Sequence, residues 1–141
     1  MKRFLVIIIL LSASFAIKAQ SVEQSCQIIE TEIADSIYRN FSVSSSGYLT
    51  FNWFGKDGSQ TLLTVDLTKV TISKDVWAGG YRVFIRCIDD IDCINENGQV
   101  GSDENYFADF SKTYLPANDE RGMNIIYQQL SFLLQYGNNL R

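Results

Sequence analysis

Apolar residues recur at steps of three and four near the start of the chain, between residues 22 and 41. This spacing places them on one face of an α-helix. The members of the stripe are Val22, Cys26, Ile29, Ile33, Ile37 and Phe41. Charged and polar residues occupy the other positions, so the sequence predicts an amphipathic helix over 22–40 that packs one face against a sheet.

Alternation with a period of two follows the serine-rich segment 42–47 and predicts strands. The predicted strands are 48–54, 60–66, 81–88, 93–95 and 105–110, with two short strands around a bend or bulge in 66–72. Asp57-Gly58 marks a turn after the first of them. We expect loops over 75–80 and around Asn97-Gly98 and Gly101.

A second amphipathic helix is predicted over residues 119–136, near the end of the chain. Asn118 suits its N-cap, and the carboxylates of Asp119 and Glu120 favour its first turn. Gly137-Asn138 is a plausible C-terminal stop. The apolar stripe of this helix consists of Met123, Ile126, Tyr127, Leu130, Leu133 and Leu134.

The order of these elements predicts an α+β fold: an N-terminal helix, a curved antiparallel sheet of five to seven strands, and a long C-terminal helix. Three features carry a resemblance to a known family. They are the inter-strand segment 66–70, Arg86-Cys87-Ile88 together with Cys93-Ile94, and the final helix with Leu130, Leu133 and Leu134. In these the chain resembles small exported bacterial domains of the pleckstrin-homology-like type, and the resemblance implies a fold only.

Lipid-headgroup binding is not implied by this resemblance. Members of that family that bind phosphoinositides use clustered Lys and Arg around the first hairpin, whereas this hairpin offers Lys56 beside Asp57. An alternative fold is a cystatin-like or NTF2-like cone, in which a helix precedes a curved sheet. The long C-terminal helix disfavours that alternative.

The first 19 residues have the pattern of an export signal. Lys2 and Arg3 precede an apolar run over 4–11, and the small residue Ala19 marks the predicted cleavage site, which Ile17 allows to shift by a few residues. A retained anchor would need about 20 apolar residues, and this run is shorter. We therefore expect a signal peptide at 1–19, a single domain at 20–141 with no integral membrane segment, and a location in the periplasm or outside the cell.

Charge narrows the range of partners. Removal of residues 1–19 leaves nine basic residues against 16 acidic ones, a net charge of −7. An acidic domain repels the phosphate backbone, so nucleic acid is not an expected partner. An anionic membrane surface is disfavoured for the same reason.

Export places the three cysteines in an oxidising compartment, where cysteines tend to pair. Cys87 and Cys93 are six residues apart. If 81–88 and 93–95 form a hairpin, these two cysteines face each other, and we expect a disulfide between them. Pairing of Cys26 with either one is the less favoured alternative, and Cys26 is otherwise a buried helix residue or a reactive thiol.

The sequence contains no recognisable catalytic constellation. It contains no histidine, which excludes His-dependent nucleophilic catalysis and His-based zinc sites. No phosphate-binding glycine loop is present. An acidic stretch follows Arg86, and it supplies Asp89, Asp90, Asp92 and Glu96 as weak calcium candidates beside the more ordinary interpretation of a solvated loop.

Three aromatic residues are candidates for a recognition surface. Trp53, Phe54 and Trp77 lie at predicted strand ends or loops. They either pack at the rim of the core or contact a protein, peptide or glycan. An exposed Trp77 would favour recognition, whereas full burial would remove it from consideration.

Three classes of function remain. The leading one is an exported, noncatalytic interaction or binding module without a cofactor, whose ligand and oligomeric state the sequence does not specify. The alternative is a small secreted ligand carrier or inhibitor, which needs an apolar cavity or a rigid exposed loop. A hydrolase that uses carboxylates is less favoured, because any acidic protein supplies carboxylate pairs.

Overall fold

The computed structural model describes residues 20–100 and 104–141. The predicted signal peptide and Gly101 lie outside the described residues. The helices are α1 (Val22–Glu32) and α2 (Glu120–Asn139). The strands of the described chain are β1 (Tyr38–Val43), β2 (Tyr48–Phe54), β3 (Gln60–Asp66), β4 (Val70–Trp77), β5 (Gly80–Cys87), β6 (Ile94–Val100), β7 (Glu104–Phe110) and β8 (Lys112–Ala117).

The predicted α+β class is confirmed, with an N-terminal helix, antiparallel strands and a long C-terminal helix. The strands form two antiparallel sheets. The large sheet has the order β1-β2-β3-β6-β7, and the small sheet has the order β4-β5-β8. Both helices pack together, and α2 also covers one face of the small sheet. The core fills the space between these layers and contains, among its fully buried side chains, Ile29, Leu49, Phe51, Val65, Val83, Ile85, Leu115, Ile126, Leu130 and Leu133.

The first helix ends eight residues earlier than the sequence predicts. Ser21 caps α1 in a capping box with Gln24, and the chain leaves the helix at Ile33, which is extended. β1 then follows, and its pairing with β2 shifts register between Arg39 and Ser42. This bulge buries Tyr38 and Phe41 three residues apart. The predicted helix over 33–40 is therefore wrong: Ile33, Ile37 and Phe41 continue the apolar spacing of α1, but Ile33 is extended and Phe41 lies in the bulged strand β1.

The later strands depart from the prediction at β4, β6 and β8. β4 runs unbroken to Trp77, so Asp75 and Trp77 lie in a strand and not in the expected loop. The expected bend is confined to the turn at 67–69 that precedes β4. Asn97-Gly98 lies within β6, not in a loop. β8 was not predicted at all, because Pro116 argues against a strand except at the edge of a sheet, where β8 lies.

The chain crosses between the two sheets three times, and the three crossings meet in one place. We call this place the crossover corner; it comprises residues 67–69, 87–93 and 111. The amide of Cys87 donates to the carbonyl of Ser111 at 2.7 Å, and the amide of Ile88 donates to the carbonyl of Lys69 at 2.8 Å. Each crossing is therefore hydrogen-bonded to another.

A disulfide between Cys87 and Cys93 closes the crossover corner, with the two Cα atoms 5.8 Å apart. The expected pairing is present, but its expected cause is wrong. Cys87 ends β5 in the small sheet and Cys93 precedes β6 in the large sheet, so the two strands do not form a hairpin. The disulfide instead links one sheet to the other.

Asp66 is a buried carboxylate at the edge of this corner, with its side chain 4% exposed. It accepts hydrogen bonds from the Thr68 amide and hydroxyl, and from Arg141. Burial alone raises the pKa of Asp66, but the bonds from Thr68 and the charge of Arg141 outweigh burial. The pKa therefore lies below its ordinary value of 3.8, and the carboxylate is held ionised.

The C-terminal helix begins and ends differently from the prediction. Asp119, not Asn118, is the N-cap, and its side chain accepts a hydrogen bond from the amide of Gly122 at 2.6 Å. The helix continues through Gly137 to Asn139 instead of stopping there. Gly137 is needed for packing, because a Cβ atom there would lie 2.7 Å from the Cβ of Leu67. Neither helix of the described residues is long and apolar enough to span a membrane.

Alanine substitutions at the two glycines of α2 should have opposite effects. Gly137→Ala is expected to lower the free energy of unfolding by about 1–3 kcal/mol, because the new methyl group overlaps Leu67. Gly122→Ala is its matched control. There the new methyl group meets the side-chain oxygens of Glu32 at 3.2 Å and of the N-cap residue Asp119 at 3.3 Å, which need to shift by only a few tenths of an ångström. Helix propensity should then raise the free energy of unfolding by up to about 1 kcal/mol. Urea denaturation measures both, and equal effects would contradict the packing described.

Asp66→Asn should destabilise the protein at neutral pH by about 2 kcal/mol, because a charged acceptor of several hydrogen bonds is lost. A lowered pKa in the folded state means that the stabilisation is present above the unfolded pKa of about 3.9 and is lost as the pH falls through the folded value. The difference between wild type and variant should therefore shrink below about pH 4. Urea denaturation at several pH values tests this, with the exposed Asp92→Asn as the control. A difference independent of pH would contradict the assignment.

Candidate functional site

A cleft of about 630 Å³ opens between the large sheet and the outer face of the small sheet. The large sheet contributes Tyr38, Trp53, Leu63, Ile94, Glu96 and Phe110. The small sheet contributes Arg82, Phe84, Lys112, Thr113 and Tyr114. Seven of these eleven side chains are aliphatic or aromatic, and few are charged. Both the volume and the mixture are typical of sites that bind small molecules.

Strand alternation explains how the small sheet presents this lining. Val83 and Ile85 of β5 are buried on the face covered by α2. Arg82, Phe84 and Arg86 alternate with them and point to the opposite face. β8 follows the same rule, because Tyr114 is opposite Phe84 and Leu115 is opposite Val83.

Tyr38 lies at the inner part of the cleft. Burial raises the pKa of Tyr38 to about 12, and the charges of Tyr114 and Glu96 add to this effect, whereas a hydrogen bond with the Thr113 side chain opposes it. The phenol therefore stays neutral at physiological pH. It offers a ligand a hydrogen-bonding hydroxyl and is not a base.

Arg82 organises the aromatic residues at one side of the cleft. Its guanidinium carbon lies 4.1 Å from the ring centre of Trp77, 4.5 Å from that of Phe84 and 5.3 Å from that of Tyr114. Its Nε atom donates to Oδ2 of Asp75 at 2.7 Å. The planar cation is thereby fixed between rings, an arrangement that lysine cannot reproduce.

The three aromatic candidates fall in different places. Trp77 is 39% exposed, which meets the condition set for a recognition surface, and it contacts the cleft through Arg82. Trp53 lines the cleft directly. Phe54 follows Trp53 in β2 and points to the other face of the sheet, where the Arg39 guanidinium lies 5.8 Å from its ring centre. A role in recognition stays a prediction for all three.

The acidic candidates are not grouped. Asp89, Asp90 and Asp92 are exposed in the disulfide-closed loop, and Glu96 lies in β6 at the cleft. The described residues hold no group of three or more His, Cys, Asp or Glu side chains that could hold a metal ion. Calcium binding stays a prediction from the sequence, and the geometry adds no support to it.

Cys26 is the free cysteine and is buried in α1, with 3% of its surface exposed. Burial raises the pKa of its thiol to about 11, and the nearby charges of Glu30 and Glu23 act in the same direction. A protonated, buried thiol is unreactive. The structure therefore favours a packing role for Cys26 over the reactive thiol.

Nine of the eleven lining residues were not singled out from the sequence as site candidates, among them Arg82, Phe84, Lys112 and Tyr114. The alternation in β5 did place Arg82 and Phe84 on one face, and this was the available signal. β8 was not predicted because it contains Pro116. Lys112 and Tyr114 were therefore not placed on a strand opposite β5. The way in which the two sheets face each other is a tertiary feature, and the periodicity of single strands does not predict it.

Comparison with known proteins assigns no function to this cleft, so its role is inferred from its own side chains. No family model, curated protein or solved structure matches the chain.

Removal of the Arg82 charge should loosen the aromatic stack. Arg82→Met keeps an apolar stem, but it leaves Asp75 without its ion pair and the rings without their cation. We expect a loss of about 1 kcal/mol in the free energy of unfolding. In a Trp53→Phe background, acrylamide should quench Trp77 more strongly. Arg39→Met, at the more distant Phe54 contact, is the control, and unchanged quenching of Trp77 would contradict the stack.

Proposed function

We propose that the chain is an exported, noncatalytic binding module whose ligand occupies the cleft between the sheets. The observation that carries this proposal is the cleft itself: about 630 Å³ with a largely aliphatic and aromatic lining and a few polar groups. A lining of this kind buries an apolar ligand and orients it by its polar end. The partner classes favoured by the sequence, a protein, peptide or glycan, would have to insert a segment of matching size.

The polar groups of the cleft support binding over catalysis. Hydrolysis by carboxylates uses two acidic groups, one on each side of the bond that is cleaved. Glu96 is the one carboxylate among the described lining residues. Tyr38, with a pKa of about 12, holds its proton too tightly to serve as a base near neutral pH.

Export is supported by two independent features. The first 19 residues have the pattern of a cleavable signal. The Cys87–Cys93 disulfide suits an oxidising compartment, such as the periplasm or the exterior of the cell. The resemblance to pleckstrin-homology-like domains also stays a proposal. Antiparallel strands in two sheets and a long C-terminal helix are compatible with it.

A second candidate function is a secreted inhibitor, favoured by the loop of residues 88–92. The disulfide closes this loop, and its two isoleucines are exposed, Ile88 by 45% and Ile91 by 64%. Rigid loops with exposed apolar side chains are suited to insertion into a partner's pocket. Ile91→Asp separates the two functions, because it should abolish inhibition and leave ligand binding in the cleft unchanged.

Binding in the cleft is tested with a neutral, apolar fluorescent probe, N-phenyl-1-naphthylamine. We expect saturable binding with one site per chain. The double variant Phe84→Ala/Tyr114→Ala removes two partly exposed aromatic walls and should weaken binding about tenfold or more, because each ring contributes on the order of 1 kcal/mol.

Phe54→Ala is the matched control for this experiment. It removes a half-buried aromatic side chain from the large sheet, on the face that points away from the cleft. Binding should be unchanged in this variant. Equal weakening in both variants, or no saturable binding to the wild type, would refute the cleft as the binding site.

A further inference from the structure

Two cations stand opposite each other at the edge of the cleft. Arg86 of β5 and Lys112 of β8 are register partners in an antiparallel pair, so both side chains project from the same face. Like charges directly opposite each other destabilise a sheet. The arrangement therefore has a cost unless an anion lies nearby.

The described residues do not supply that anion. Their ion pairs join Lys69 and Arg141 to Asp66, and Arg82 to Asp75. No carboxylate of the described chain lies within ion-pair distance of Arg86 or Lys112. The predicted mature chain has 16 acidic residues against nine basic ones, so a shortage of carboxylates does not explain the uncompensated pair.

The two cations are attached to the aromatic lining. Lys112 lines the cleft, and so does Tyr114, two residues further along the same strand. The guanidinium carbon of Arg86 lies 4.7 Å from the ring centre of Phe84, which also lines the cleft. Positive charge at the mouth thus continues directly into an apolar interior.

The large-sheet wall of the cleft carries a negative charge. Glu96 lies on the large-sheet wall, and its negative charge acts on the Tyr38 hydroxyl. An anionic group pushed inwards would meet this carboxylate. The charges therefore favour one orientation, with the anion at the mouth and the uncharged part of the ligand inside.

We propose that the ligand of the cleft is a small amphipathic carboxylate, with its apolar body between the sheets and its carboxylate between Arg86 and Lys112. This inference rests on the proposed binding function and specifies the ligand class. Arginine binds carboxylates through two parallel hydrogen bonds, and a lysine beside it adds a compact charge. The anion relieves the repulsion between the two cations, and the aromatic walls cover the rest of the ligand.

An acidic polymer fits these observations less well than a small molecule. A polyanion needs a row of cations along its length, as charged surfaces that bind polymers have. Among the described residues this mouth offers one pair of cations without an ion-pair partner, beside an open cleft of about 630 Å³ whose size suits a single small ligand. We therefore favour the small carboxylate over an acidic peptide or glycan.

The experiment compares decanoate with decanol, which has the same apolar chain without the charge. Trp77→Phe leaves Trp53, in the cleft, as the one tryptophan of the predicted mature chain, and its fluorescence reports binding. Decanoate is expected to bind about tenfold or more tightly than decanol, because charge-assisted hydrogen bonds contribute about 1.5–3 kcal/mol. Added salt should weaken the binding of decanoate and leave the binding of decanol unchanged.

Variants assign the preference to the two cations. Arg86→Gln/Lys112→Gln should remove the difference between decanoate and decanol while decanol binding persists. Lys56→Gln, in the distant β2–β3 turn, removes one positive charge as a control and should retain the preference. Retention of the preference in the double variant would overturn the assignment.

Failure of this inference is distinguishable from failure of the proposed function. Equal binding of decanol and decanoate to the wild type would overturn the ligand class but leave the cleft as a binding site. Absence of binding by both would refute the proposed function as well. Tight binding of polyglutamate or polygalacturonate, with no binding of decanoate, would also overturn the ligand class in favour of an acidic polymer.

Discussion

The structure depends on the crossover corner, where the chain passes three times between the two sheets. Backbone hydrogen bonds join these crossings, and the Cys87–Cys93 disulfide links the end of β5 to the start of β6. The third crossing is a single residue, Ser111. Phe110 and Lys112, on either side of it, both line the cleft. The corner thereby fixes the spacing of the sheets and the position of the cation at the mouth, so the same constraint that holds the fold together also shapes the site.

The chemistry of the cleft depends on which of its charged side chains have an ion-pair partner among the described residues. Arg82 is compensated by Asp75 and is held between aromatic rings, so it serves as part of the wall. Arg86 and Lys112 face each other without an ion-pair partner in the described chain. Tyr38 is kept neutral by burial. These features support the proposed role of the cleft in binding an amphipathic carboxylate.

Much of the fold was predictable, because most strands obey simple alternation and α2 carries a regular apolar stripe. The errors have identifiable physical causes. Ile33, Ile37 and Phe41 keep helical spacing although the chain is extended at Ile33 and Phe41 lies in a bulged strand. Pro116 argues against a strand where the edge strand β8 lies. The disulfide was predicted from spacing, although a crossing between sheets produces it instead of a hairpin. The cleft was beyond prediction, because it requires knowing that β8 faces the large sheet. Trp53 was identified as a candidate, but its partners across the cleft were not.

The central claim is that the cleft between the sheets is the binding site, entered from the Arg86–Lys112 side. Amide chemical-shift mapping by NMR during a decanoate titration tests this claim most directly. The account predicts saturable shifts concentrated in β5 and β8, largest around Phe84, Arg86, Lys112 and Tyr114, with little change around Phe54 on the opposite face. Shifts centred on Phe54 and Arg39, or spread evenly over the surface without saturation, would contradict it.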